Sequence, residues 1–140
     1  MLRIRSISSL KNQYKTGELS PSTLVDFLTG QIDEADSKIW IHRISSEDLH
    51  NRASELENFS PEELPLYGIP FAVKDNVDVA GLPTTAGCPD FSYLPNSHAQ
   101  VVDLLLEAGA ILVGKTNMDQ FATGLVGTRS PFGIPDNSFR

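Results

Sequence analysis

The chain has 140 residues, enough for one modest domain that buries about two-thirds of its unfolded surface and too few for a large multidomain enzyme. Eighteen acidic against eleven basic side chains give a formal charge of −7, which repels a phosphate backbone and disfavours nucleic-acid binding. With 40% apolar and 21% charged residues, and no apolar run near the roughly 20 residues that span a bilayer, the composition is that of a soluble globular chain and not a membrane-embedded one.

Arg3, Arg5, Lys11 and Lys15 precede the first acid, Glu18, as in a mitochondrial presequence, yet Leu2, Ile4, Ile7 and Leu10 equally suit the apolar face of an opening helix. The expected location is the cytoplasm, in keeping with a single cysteine, Cys88, which cannot form an intramolecular disulfide. Ser20-Pro21 reads as an N-cap and first helical residue, with Leu24, Val25, Phe27, Leu28 and Ile32 as an apolar face, predicting a helix over 21–35. Residues 38–44 read as a short strand, and Ser46 as the cap of a second helix carrying Leu49, Ala53 and Leu56. Residues 1–60 are thus expected to be a mostly helical lead-in, and residues 61–140 the start of an α/β core.

That core opens at Tyr67-Gly68-Ile69-Pro70-Phe71-Ala72-Val73-Lys74-Asp75-Asn76, an apolar strand that delivers one lysine into a polar turn. A lysine entering a low-dielectric site loses hydration that its charged form needs most, so it becomes a base near neutrality. The plainer alternative is a strand-end lysine that reaches solvent and pairs with Asp75. Residues 81–95 form a long irregular segment, after which Val101, Val102, Leu104, Leu105 and Ala108 supply a helix face closed by Gly109. Ala110 to Val113 reads as a strand buried on both faces. Strand, loop, helix and strand make a βαβ unit, with parallel strands whose carboxyl ends share an edge.

Gly109 to Thr116 matches the phosphate-loop pattern in form, but its spacer is itself the apolar strand, so nucleotide binding is disfavoured. Lys115 reads as closing that strand, with Asn117 and Asp119 organising the turn into a short helix around Met118 to Phe121. His42, His50 and His98 are scattered and read as surface residues, so no metal site is expected. Asp75 and Asp78 read as turn aspartates bonded to local backbone, and Cys88 as an inert thiol. From Gly124 onward the chain is irregular.

Gly68-Ile69-Pro70-Phe71-Ala72-Val73-Lys74-Asp75-Asn76, Gly109-Ala110-Ile111-Leu112-Val113-Gly114-Lys115-Thr116-Asn117 and Met118-Asp119-Gln120-Phe121 together resemble the opening of the amidase signature family. The resemblance is dense over residues 66–132. It implies an α/β fold, the N-terminal part of that family's mixed sheet covered by helices. It also implies amide hydrolysis by a Ser-cis-Ser-Lys triad whose terminal base corresponds to Lys74, with no cofactor. Ala122-Thr123-Gly124 aligns with the stretch whose backbone borders the scissile amide, a weaker candidate for substrate contact.

Asp119 to Gly133 is most similar to the family's allophanate-hydrolysing branch, which yields ammonia and carbon dioxide in urea degradation, alone or beside a fused or associated urea carboxylase. The amidotransferase A-subunit branch shares the Lys-Thr-Asn-Met-Asp start and is the alternative. The family's Gly-Gly-Ser-Ser segment is expected a few residues beyond Arg140 and the nucleophile further still; Ser130 and Ser138 are no substitutes. The expectation is therefore an incomplete fold, inactive alone, whose partners are a small amide and the missing C-terminal amidase segment. A non-enzymatic interaction module and a degenerate fragment are the readings from other classes.

Overall fold

A computed structural model describes residues 6–137 of the chain. Helix α1 (Ile7–Lys15) begins where the Ser6 side chain accepts the Ser9 N–H at 3.1 Å, and it buries Leu10 and Tyr14. Leu2 and Ile4 of the expected apolar face, and Arg3 and Arg5 of the presequence-like pattern, lie outside the described residues, and Ile7 is exposed. Helix α2 (Pro21–Glu34) follows the predicted cap, with Ser20 Oγ accepting the Thr23 N–H at 3.1 Å. It packs on α3 (Ser46–Leu56) through Leu24 and Val25 on one helix and Leu49, Ala53 and Leu56 on the other. The cap of α3 is Ser45 rather than Ser46. Ser45 has the extended backbone a cap needs, and its hydroxyl accepts the Asp48 N–H at 3.0 Å.

The strands are β1 (Trp40–Arg43), β2 (Pro70–Lys74) and β3 (Ile111–Thr116), in the spatial order β1-β3-β2. Strands β1 and β3 are antiparallel, with His42 opposite Lys115 and Arg43 opposite Gly114. A Cβ on Gly114 would stand 2.6 Å from the His42 carbonyl oxygen, so only glycine lets β1 approach here. Between β3 and β2, Ile111 N–H donates to the Ile69 carbonyl at 2.9 Å and Asp75 N–H to the Thr116 carbonyl at 3.2 Å. Both chains advance together between these bonds, so the pair is parallel and the sheet mixed, as expected.

Central β3 is buried from Ile111 to Lys115. Strand β2 departs from the expected burial on both faces: Ala72 and Lys74 are exposed while Val73 and Asp75 are buried, the alternation of a strand with one covered face. Its crossover to β3 runs through an irregular loop and helix α4 (Gln100–Glu107). That helix buries Val102 but exposes Val101 and Leu104, a narrower apolar face than its sequence offers. Gly109, at φ +93°, ends the helical run, and Arg52 of α3 donates to the carbonyls of Leu106 at 2.5 Å and Ala110 at 3.3 Å.

The chain clusters into two compact units. One comprises the helices up to Glu34 with Ile44–Phe71 and Leu104–Val113; the other comprises Ala35–Arg43, Ala72–Asp103 and the chain from Gly114. The first holds the helical core around Leu24, Val25 and Leu56. The second holds the polar constellation described next.

Candidate active site

The pleat of β2 sends Val73 in and Lys74 out, and Asp75, the first residue of the turn that follows, is buried. The exposed Lys74 side chain has no hydrogen-bond or ion-pair partner among the described residues. Its backbone is fixed, because its carbonyl accepts the Val77 N–H at 2.9 Å just where Asp75 N–H pairs with β3. Of the plainer sequence alternative the reach to solvent is seen and the pairing with Asp75 is not, while the low-dielectric surroundings expected for Lys74 are absent among the described residues, because the pleat turns its side chain outward. The Asp75 carboxylate turns inward at 0% exposure, where Oδ2 accepts the Thr85 N–H at 3.0 Å and the Thr85 hydroxyl.

The buried lysine is Lys115, at 0% exposure. Its Nζ donates to the Pro83 carbonyl at 2.8 Å and to Thr84 Oγ1 at 2.7 Å, and stands 3.3 Å from Asp75 Oδ1. Asp75 Oδ1 has no other partner among the described residues, so this contact is an ion pair without good hydrogen-bond alignment. Two hydrogen-bond acceptors and one neighbouring carboxylate oxygen surround the ammonium and favour its charged form. Burial lowers the Lys115 pKa from its ordinary value, and the Asp75 charge pulls it back up. The Thr84 hydroxyl donates onward to Asp78 at 2.9 Å, and the Tyr93 hydroxyl donates to the same carboxylate oxygen at 2.7 Å. Of the local backbone bonding expected for Asp75 and Asp78, only the Thr85 N–H to Asp75 bond is seen among the described residues; Asp78 accepts side-chain hydroxyls and Asp75 reaches across to β3.

His42 of β1 faces this cluster and corrects the expectation of a surface residue, since its Nε2 is buried without a hydrogen-bond partner among the described residues. Burial lowers its pKa, Asp75 opposes that, and the Lys115 charge lowers it further. His50 is half-buried, and its Nε2 lies 2.9 Å from Asp26; His98, also half-buried, accepts the Ala80 N–H at its Nδ1 at 3.0 Å.

Parallel β2 and β3 end on the same edge, so the segment that follows β3 leaves beside the Lys74 end of β2. In it, Asn117 accepts the Met118 N–H at 2.7 Å and donates to the Gly133 carbonyl at 2.9 Å. Buried Asp119 accepts the N–H groups of Arg129 at 2.6 Å and Gly127 at 3.0 Å. These bonds, the Arg129 one first, lower its pKa against the opposing effect of burial. The loop closes over Ala122, Thr123 and Gly124; Ala122 and Thr123 are exposed, and the Thr123 carbonyl accepts the Arg129 guanidinium at 3.2 Å.

Phe121 and Ala122 both have positive φ, +51° and +56°, and Phe121 N–H donates at 2.8 Å to the carbonyl of Ala86, itself at φ +51°. Left-handed backbone at three non-glycine residues around one bond is strain of the kind that gathers at functional loops. No hydrogen bond joins Lys74 to residues 122–124 among the described residues. Sequence reading missed the pairing of Asp75 with Lys115 and the roles of Thr84 and Thr85. The available signal was a charged residue at the carboxyl end of each neighbouring parallel strand, of opposite sign. Among the described residues no three His, Cys, Asp or Glu side chains converge as metal ligands, and no helix is long and apolar enough to cross a membrane.

Residues 23–140 match the family model described as Amidase. The chain belongs to the amidase family. It is similar to the urea amidolyase of Saccharomyces cerevisiae, 62% identical over 95 residues that make up 67% of this chain and 5% of that one. The A subunit of glutamyl-tRNA(Gln) amidotransferase from Exiguobacterium sibiricum is 38% identical over 84% of this chain and 25% of its own. The fold is similar to that of solved Kluyveromyces lactis allophanate hydrolase, with TM-score 0.79 and 46% identity over 92% of this chain and 22% of that structure. The chain therefore spans a quarter or less of each of these relatives.

Proposed function

We propose that this chain is the N-terminal part of an amidase in which Lys74 is the terminal base of a Ser-cis-Ser-Lys triad and allophanate is the substrate. The observation that carries the reading is a lysine amine without a partner among the described residues, at the shared edge of two parallel strands and beside a carboxylate neutralised by another lysine. Neutral Lys74 would take a proton from the cis-serine as that residue takes one from the nucleophile, whose oxygen attacks the amide carbonyl. The amine leaves protonated, and water then clears the acyl-enzyme. The cis-serine would come from the family's glycine-serine segment and the nucleophile from sequence further on, and together they would shield Lys74 from bulk water. The strained loop through Ala122, Thr123 and Gly124 is the proposed backbone border of the scissile amide.

The allophanate assignment is supported by the identity to urea amidolyase and the likeness to allophanate hydrolase. It brings with it a urea carboxylase, fused or associated, as the source of substrate. Identity to the amidotransferase A subunit favours a second reading, glutamine amide hydrolysis. The test is ammonia release from allophanate and from glutamine, by the chain alone and by the chain extended through both the glycine-serine segment and the nucleophile beyond it. The extended protein is expected to act on allophanate and the 140-residue chain to be inert. Lys74→Ala is expected to lower the extended protein's kcat/KM by about 10²- to 10⁴-fold. Full activity in that variant refutes the base assignment, and turnover by the chain alone refutes its dependence on a missing nucleophile.

A further inference from the structure

An amine that works as a base must stand clear of carboxylates, because an anion within about 4–6 Å favours its charged form. Lys74 has such a group covalently next to it. Asp75 lies where β2 gives way to a turn, so strand pairing alone does not dictate its side chain, and two other holds do. Thr85 takes one carboxylate oxygen and Lys115 the other. Asp78 cannot replace either, being taken up by Thr84 and Tyr93, and His42 on β1 faces the cluster with Nε2 unbonded among the described residues.

We propose that Lys115 is a positioning residue: it holds the Asp75 carboxylate in the interior so that Lys74 leaves β2 with no carboxylate partner. The functional meaning rests on the reading of Lys74 as base, while the geometry does not. Without the Lys115 ammonium the nearest cation left to Asp75 along the chain is Lys74, and an ion pair between them would keep the base protonated.

The test measures acetylation rates of individual lysines in the folded 140-residue chain at pH 8 by peptide mass spectrometry, with Lys15 on α1 as the internal reference. In the parent chain Lys74 should react about as fast as Lys15, and Lys115 should be protected at least tenfold. Lys115→Met should slow Lys74 by about threefold or more, and the double variant Lys115→Met/Asp75→Leu should restore the parent rate. A purely structural role for Lys115 would not move Lys74 and rescue it in this way. An unchanged Lys74 rate in folded Lys115→Met overturns the proposal.

Should that variant not fold, Asp75→Asn decides: Lys74 is expected to keep its rate, and a gain of twofold or more would show that Asp75 already engages Lys74 in the parent, overturning the proposal. These rates do not depend on catalysis, so the positioning role and the base assignment can fail separately. In the serine-completed enzyme the acid limb of kcat/KM should move to higher pH in Lys115→Met and return in the double variant.

Discussion

Lys115→Met should unfold the sheet far more readily than Lys74→Met, although both remove one lysine from adjoining parallel strands. Methionine fills much of the lysine volume, so the cavity term is small. What remains is Asp75, fully buried and stripped of its cation; breaking a buried pair by removing one partner costs about 3–5 kcal/mol. The Pro83 carbonyl also loses its donor from Lys115, adding about 1 kcal/mol, whereas Thr84 keeps its bond to Asp78. With a urea dependence of about 2 kcal/mol per molar, a loss near 5 kcal/mol lowers the midpoint by about 2.5 M. Lys74, exposed and unpartnered among the described residues, should stay within about 0.5 kcal/mol, or about 0.25 M, when replaced by methionine. The single tryptophan, Trp40, sits on β1 and its ring approaches Gly114 of β3, so its fluorescence reports the sheet directly. Lys115→Met/Asp75→Leu should recover most of the loss, since an apolar pair in place of a buried ion pair is often neutral. Equal midpoint losses in Lys74→Met and Lys115→Met, or a double variant no better than Lys115→Met, would refute the reasoning.

A hydrogen bond to Asp26 raises the pKa of His50, so the stability it contributes is fully present below the unfolded histidine value and fades as pH rises through the folded one. The melting difference between the parent and Asp26→Asn should therefore be larger at pH 5.5 than at pH 8.5, and a flat difference would contradict the pairing. Gly124→Ala should free the loop after Asp119, because a Cβ there would strike the Asp119 carboxylate; hydrogen exchange at Gly127 and Arg129 should accelerate while β3 amides keep their protection. Leu125 is fully exposed and Phe91 stacks edge-on with partly exposed Phe121 and Tyr93, so the isolated chain should self-associate with concentration in sedimentation. Phe91→Ser/Phe121→Ser should reduce that association, and a monodisperse parent would dismiss the patch as its cause.

Elements with strong local signals were legible in the sequence. Ser20-Pro21 marks the start of α2, Gly109 the end of the helical run after α4, and the apolar run Ala110 to Val113 a central buried strand. What was not legible depended on partners distant in sequence. The interior partner of Asp75 is Lys115, forty residues away, and its second hold comes from Thr85 in a loop with no periodicity to read. The same limit hid His42, whose burial follows from β1 lying across β3 where Gly114 admits it. In α4 the apolar positions Val101 and Leu104 promised a wider buried face than the described residues cover.

Lys74, expected in a low-dielectric site, is exposed, and Lys115, expected only to close its strand, is buried; strand periodicity explains why. Lys74 follows Val73, a core residue, so the pleat sends it outward whatever its chemistry requires, while Asp75, the first residue of the turn, is held inward by Thr85 and Lys115. Lys115 lies on a central strand covered on both sides, where no outward direction exists, and its charge is tolerable only because Asp75, Thr84 and Pro83 meet it. A slip of β2 by one residue would turn Lys74 inward and remove the free amine from the edge. The bonds from Ile111 to Ile69 and from Asp75 to Thr116 oppose that slip at either end of the strand, with the buried ion pair beside the second of them. Register, more than the composition of the strand, thus decides which of its charged residues is available for chemistry.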